Sequence, residues 1–147
     1  MAKVRHRVGI DGPVNKIFSA LVTNEGFAGW WASSADIKKK IGGRVVLTFD
    51  NLTVLKFKYT DVQKNKRVAL ICTDGPGTWQ GSELIFDLTQ ADDQVFLTLT
   101  HQNDLSGDDD FLYFNTKWTC YLLSLKDWVE TGSGNPYPND IKIHVGD

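Results

Sequence analysis

The stretch from Phe111 to about Glu130 constrains this chain most. Phe111, Phe114, Trp118, Leu122, Leu125 and Val129 recur at helical spacing, with Tyr121 beside them. They form one wide apolar stripe of large side chains on a helix. Such a stripe must be buried. At 1.5 Å per residue, about twenty residues reach roughly 30 Å, enough to cross a whole sheet. The segments before it supply that sheet.

Val4, His6, Val8 and Ile10 alternate with Arg5 and Arg7, the pattern of a half-buried strand. Asp11-Gly12-Pro13 ends it and starts a helix whose buried face is Val14, Ile17, Phe18 and Leu21. Asp11 or Gly12 is the expected cap, with Pro13 at the first helical position. Asn24 is the expected cap of a second short helix carrying Phe27, Trp30 and Trp31. After Gly42-Gly43, five alternating segments are centred on Val45–Phe49, Leu55–Tyr59, Val68–Cys72, Leu84–Leu88 and Val95–His101. The third is apolar on both faces, which suits a central strand. Asp109 or Asp110 is placed to cap the long helix, and Gly132 to end it. Strand, two helices, a meander and one long helix make an α+β chain with the helix against one face.

The expected organisation is one domain over residues 1–134 and a tail over 135–147. Pro136 and Pro138 stop any helix in that tail. Ile141, Ile143 and Val145 alternate with Lys142 and His144, so it reads as a short added edge strand or as a weakly ordered end. A chain of 147 residues buries roughly 68–70% of its unfolded surface, enough for a core without staples.

The net charge of −2 and a pI near 5.9 speak against a nucleic-acid surface. Lys38-Lys39-Lys40 is the only basic run, and reads as a solvated loop face. Two cysteines, Cys72 and Cys120, are too few for a disulfide scaffold. No signal peptide or apolar run long enough to span a membrane is present, so a cytoplasmic location with free thiols is expected.

The order of elements and several motifs resemble the START-like, birch-pollen-allergen-like superfamily, SRPBCC. Within it the chain resembles homologues of the activator of the heat-shock protein 90 ATPase. Asp11-Gly12-Pro13-Val14, Ile17-Phe18-Ser19-Ala20-Leu21-Val22, Phe27-Ala28-Gly29-Trp30-Trp31 and Gly42-Gly43-Arg44 carry the resemblance. So do Leu97-Thr98-Leu99-Thr100-His101, Lys117-Trp118, Leu122-Leu123-Ser124-Leu125-Lys126 and Glu130-Thr131-Gly132. The resemblance implies a helix-grip fold, a curved antiparallel sheet of six to seven strands around the C-terminal helix, with two short helices after the first strand. Six strands are visible; the seventh is expected from a split segment or from Trp79–Gly81. The superfamily implies a cavity between sheet and helix. Its members bind lipids, sterols, polyketides or hormones, catalyse cyclisation or hydrolysis, or activate a chaperone.

The expected lining is Trp30, Phe49, Phe57, Tyr59, Trp79, Phe86, Leu97, Leu99, His101, Phe114, Asn115, Trp118 and Tyr121. Of the adjacent Trp30 and Trp31, about 100° apart on a helix, one is expected inside and the other at the cavity mouth. His101, Asn115 and Tyr59 are the polar groups placed to orient a ligand. The reading is a binding module for a hydrophobic or aromatic small molecule or a lipid. The alternatives are a regulator of the chaperone ATPase and a cyclase- or hydrolase-type enzyme. The last lacks support, because Glu83 and Asp87 face away from the side that carries Leu84 and Phe86. No nucleophile elbow, phosphate-binding loop, metal constellation or cofactor motif occurs.

Overall fold

The computed structural model describes residues 2–104 and 107–147. The chain runs β1 (Ala2–Ile10), α1 (Val14–Ala20), α2 (Asn24–Trp30), β2 (Ser34–Ile37), β3 (Arg44–Phe49), β4 (Thr53–Gln63), β5 (Arg67–Asp74), a 3-10 turn (Gly77–Trp79), β6 (Glu83–Gln90), β7 (Val95–Asn103) and α3 (Asp108–Thr131). Seven strands form one antiparallel sheet in the order β1-β7-β6-β5-β4-β3-β2, with the doubly apolar β5 at its centre. This is the expected α+β helix-grip architecture.

Alternation decides which face is inside. Val45, Leu47 and Phe49 of β3, Leu55, Phe57 and Tyr59 of β4, and Leu84, Phe86 and Leu88 of β6 are buried. Their neighbours Lys56 and Lys58 are exposed. Register shifts between Lys56 and Phe57 and between Tyr59 and Asp61 interrupt the β4–β5 ladder. Such irregularities increase local twist and help the sheet curl. The helix completes the core with Phe114, Trp118, Leu122, Leu125 and Val129, as its stripe requires. Its 24 residues span about 36 Å.

Several local expectations change. The seventh strand is β2, registered on β3 from Ser34↔Thr48 to Ile37↔Val45. Ser-Ala-Asp-Ile alternates over only four residues with one large apolar side chain, too short a signal to stand out, and the open edge of β3 organises it. Trp79 instead belongs to a 3-10 turn. Thr23, not Asn24, caps α2 by accepting the Gly26 N–H at 3.0 Å. Asn24 is the first helical residue, and its side chain accepts the Ile37 N–H at 2.8 Å, tying α2 to β2. Pro13 lies just before α1, while the Asp11 N–H donates to Glu130 at 2.9 Å. Gly107 opens α3, and Asp108, Asp109 and Asp110 fill its first turn, where negative charge meets free N–H groups. Of the expected acidic loop before α3, residues 105–106 lie outside the described residues.

The tail forms no strand. The backbone groups of the expected strand bond locally instead, the Ile143 N–H to the Asp147 carboxylate at 3.1 Å and the Asp147 N–H to the His144 carbonyl at 3.2 Å. Ile141 and Val145 stay exposed, while Asp140 and Asp147 turn inward to Lys117 on α3.

Helices α1 and α2 meet at Gly26. A Cβ there would lie 2.6 Å from the Ala20 Cα and 2.7 Å from its carbonyl oxygen. Helix propensity alone predicts that Gly26→Ala stabilises the protein by up to about 1 kcal/mol. The backbone contact predicts the opposite sign, a loss of about 2 kcal/mol in urea unfolding.

Candidate functional site

The space under the middle of α3 is filled by the protein's own rings. Trp30 and Trp31 are both buried and stack at 5.3 Å with an 18° interplanar angle. The 100° offset does not separate them, because α2 ends at Trp30 and Trp31 has left helical geometry (φ −127°, ψ −63°). Trp30 donates its indole N–H to the Ala20 carbonyl at 2.9 Å. Phe86 meets both Trp30 and Trp118 edge-on, at 6.3 and 6.2 Å. Edge-on and offset contacts of this kind add to the area term.

His101 belongs to this filled interior and is fully buried. Its Nδ1 accepts the Trp118 indole N–H at 2.9 Å. An indole nitrogen only donates, so Nδ1 carries no proton here. The proton of the neutral ring then sits on Nε2, 2.9 Å from the Ser82 hydroxyl, which itself donates to the Thr78 carbonyl at 2.7 Å. Burial pulls the His101 pKa from 6.5 down to about 4. The side chain is thus a neutral relay from helix to sheet.

Open space lies at one end of the sheet, beside the first half of α3. There a pocket of about 380 Å³ has six aromatic side chains in its wall. The 3-10 turn region contributes Pro76 and Trp79, and Trp31 comes from the position that follows α2. The β3–β4 hairpin contributes Phe49, Leu52, Thr53 and Leu55. Helix α3 supplies Tyr113, Lys117 and Tyr121, and the tail supplies Tyr137, Asp140 and Asp147. The Trp31 N–H makes no hydrogen bond although it is buried. Burial raises the pKa of the Tyr121 hydroxyl, and a loose approach of the Trp31 N–H, outside hydrogen-bond geometry, works against that rise.

The tail is a structural wall of this pocket. Lys117, 1% exposed, donates to Asp140 at 2.8 Å, Asp147 at 2.9 Å and the Ile141 carbonyl at 2.7 Å. Three acceptors satisfy the three protons of the ammonium. Burial alone would lower the Lys117 pKa, but the two carboxylates outweigh it and raise it. Burial likewise works against the charged forms of Asp140 and Asp147, and hydrogen bonds to Lys117 and other donors hold both below the usual carboxylate range. Tyr113 donates to Asp147. Upstream, the Asn135 N–H donates to Ser124 at 2.8 Å and the Tyr137 N–H to the Trp31 carbonyl at 2.9 Å.

Of the residues expected to line the cavity, Phe49, Trp79 and Tyr121 meet in this pocket. Trp30, Phe57, Tyr59, Phe86, Leu97, Leu99, His101, Phe114 and Trp118 pack beneath it in the core. Tyr59 is held there by donating to the Leu21 carbonyl at 2.8 Å. Asn115 is exposed on α3. The lining adds Trp31, Lys117 and the tail. Lys117 had a sequence signal, since it sits three residues after Phe114 and four before Tyr121 on the apolar stripe. A lysine there must find buried partners. Among the described residues no three His, Cys, Asp or Glu side chains gather as a metal site. No described helix is long and apolar enough to cross a membrane.

The family described as Activator of Hsp90 ATPase homolog 1-like protein matches residues 11–130. The chain belongs to this family. Aha1 from Colwellia psychrerythraea, solved as a dimer, is 36% identical, with a TM-score of 0.79 over 91% of this chain and 100% of that one. SSP2350 from Staphylococcus saprophyticus (21% identity, TM-score 0.76, 90% and 95% covered) shares the fold. So does CalU16 from Micromonospora echinospora (17%, 0.70, 87% and 81%). A search of curated proteins finds no match. Family membership is compatible with ligand binding and with regulation of the chaperone.

Two outcomes follow from the buried polar groups. As pH falls, the unfolded chain takes a proton at a histidine near pH 6.5, whereas folded His101 resists until about pH 4. Stability is therefore complete above pH 6.5 and drops by roughly 3 kcal/mol towards pH 4. Urea unfolding across that range measures this, and His101→Gln should flatten the slope. Lys117→Met strands two carboxylates and should cost about 3 kcal/mol. Adding Asp140→Asn and Asp147→Asn should recover part of that loss, a non-additivity that a mutant cycle reads directly.

Proposed function

We propose that the protein binds a hydrophobic, aromatic small molecule in the pocket between Trp31, Trp79 and Tyr121 and the tail. The observation that carries this reading is the 380 Å³ space itself, faced by six aromatic side chains, with its charged groups, Lys117, Asp140 and Asp147, paired with one another. Its size falls within the usual range for small-molecule sites. Ring faces suit a planar apolar ligand, and burial contributes about 25 cal/mol per Å² of apolar surface removed from water. Lys117, Asp140, Asp147 and Tyr113 already satisfy one another, so the pocket holds no poised acid–base pair for a cyclase or hydrolase.

A second reading, modulation of an Hsp90 ATPase, is supported by the family match and by the 36% identity to an Aha1 protein. ATPase rates of the cognate chaperone with and without the protein separate the two.

Titration with fused-ring aromatics and fatty acids should quench tryptophan fluorescence saturably, and native mass spectrometry should show the added ligand mass. Thr53→Trp would place a large ring at the pocket rim. It should weaken binding at least about tenfold, or 1.4 kcal/mol, while leaving the unfolding midpoint unchanged. Lack of response to every ligand would end the binding reading.

A further inference from the structure

The run Lys38-Lys39-Lys40 is part of a shaped surface. Backbone bonds fold residues 38–43 into a tight loop. The Lys40 N–H reaches the Lys38 carbonyl at 2.9 Å, the Gly43 N–H reaches that of Lys40 at 2.8 Å, and the Gly42 N–H reaches that of Tyr59 at 2.8 Å. A Cβ at Gly43 would lie 2.0 Å from the Lys38 carbonyl oxygen, so the loop admits no side chain there. Lys39, Lys40 and Ile41 are thereby held in place. Facing them, the β4–β5 turn presents Lys64 beside Asn65, whose φ of 62° sets the turn. Phe18 and Val22, from α1 and its end, complete an open groove of about 470 Å³.

The groove has an apolar floor in which Ile41 stays 66% exposed. Its rim carries Lys39, Lys40 and Lys64 and no carboxylate. Among the described residues none of these three lysines forms an ion pair. Three unpaired cations around an exposed aliphatic side chain repel one another and leave apolar surface in water, on a chain whose net charge is −2.

We propose that this groove docks an acidic segment of a partner protein. The segment is an extended stretch with several Asp or Glu side chains around one large apolar residue. Its carboxylates match the three lysines, and its apolar side chain covers Ile41 and Phe18. The Asn15 and Asn65 amides on the rim suit a peptide backbone, for which an acyl chain has no counterpart. This groove shares no lining residue with the aromatic pocket, so the two sites stand or fall separately. Contacts of this charge-rich kind act chiefly on encounter rate and are screened by salt.

Fluorescence anisotropy with a short fluorescein-labelled peptide alternating Glu and Leu tests the proposal. Saturable binding is expected at low salt, weaker at physiological salt. The combined Lys39→Glu, Lys40→Glu and Lys64→Glu variant should weaken it at least about tenfold. All three lysines are exposed, so the variant should keep the wild-type unfolding midpoint. Ile41→Ser should also weaken binding, and amide shifts on adding peptide should map to residues 38–43 and 62–65. Absent binding, equal binding by the triple variant, or shifts confined to the aromatic pocket would overturn the proposal. So would a preference for phosphatidylglycerol vesicles over the peptide.

Discussion

The stacked pair Trp30–Trp31 determines where empty space can exist in this fold. A long helix on a curled sheet leaves a gap whose width is set by what fills it. Here two indoles from the end of α2 enter that gap and meet Trp118 of α3 and Phe86 of β6. Close-packed rings of this size leave little room. The residual space is pushed towards the first half of α3, where Trp31 turns one face to the core and another to the pocket. The site is therefore a consequence of core packing, and its position would change with the termination of α2.

A second constraint closes that end. Lys117 lies on the apolar stripe and is buried, so its charge requires compensation. The tail provides it with two carboxylates and a backbone carbonyl. A buried ion cluster of this sort is weak evidence for net stability, because desolvation offsets much of the attraction. It is stronger evidence for position: it sets residues 140 and 147 against α3 and makes a segment without regular structure into a wall. His101 plays the corresponding part deeper in, joining Trp118 to Ser82 through a neutral ring. Both groups use buried polarity to register elements whose apolar contacts alone would tolerate sliding.

Much of this architecture is legible in the sequence, and the reason is periodicity. The strands β3 to β7 and the stripe of α3 announce which face is buried, since spacing alone places Leu97 or Trp118 inside. The family resemblance holds for the same reason. Features set by a neighbour are not legible. The strand β2 exists because β3 has an open edge, and the alternation in Ser34–Ile37 is only four residues long with one large apolar side chain. The angle between Trp30 and Trp31 follows from a helix that ends between them. The tail residues Tyr137, Asp140 and Asp147 carry no pattern, because their places are fixed by distant residues, Tyr137 by the Trp31 carbonyl and the two carboxylates by Lys117. Sequence reading thus finds the aromatic residues of the gap but not which of them are core and which are wall.

Of the chain's five tryptophans, Trp30 and Trp118 spend their indole N–H groups on hydrogen bonds inside the core, while Trp31 lines the pocket. Their side-chain N–H signals in a nitrogen-15 NMR spectrum report the two environments separately. On titration with a naphthalene derivative, the Trp31 signal should move progressively and saturate, with those of Trp30 and Trp118 nearly still. A spectrum in which Trp30 and Trp118 move while Trp31 does not, or in which no indole signal responds to any aromatic ligand, would contradict the account.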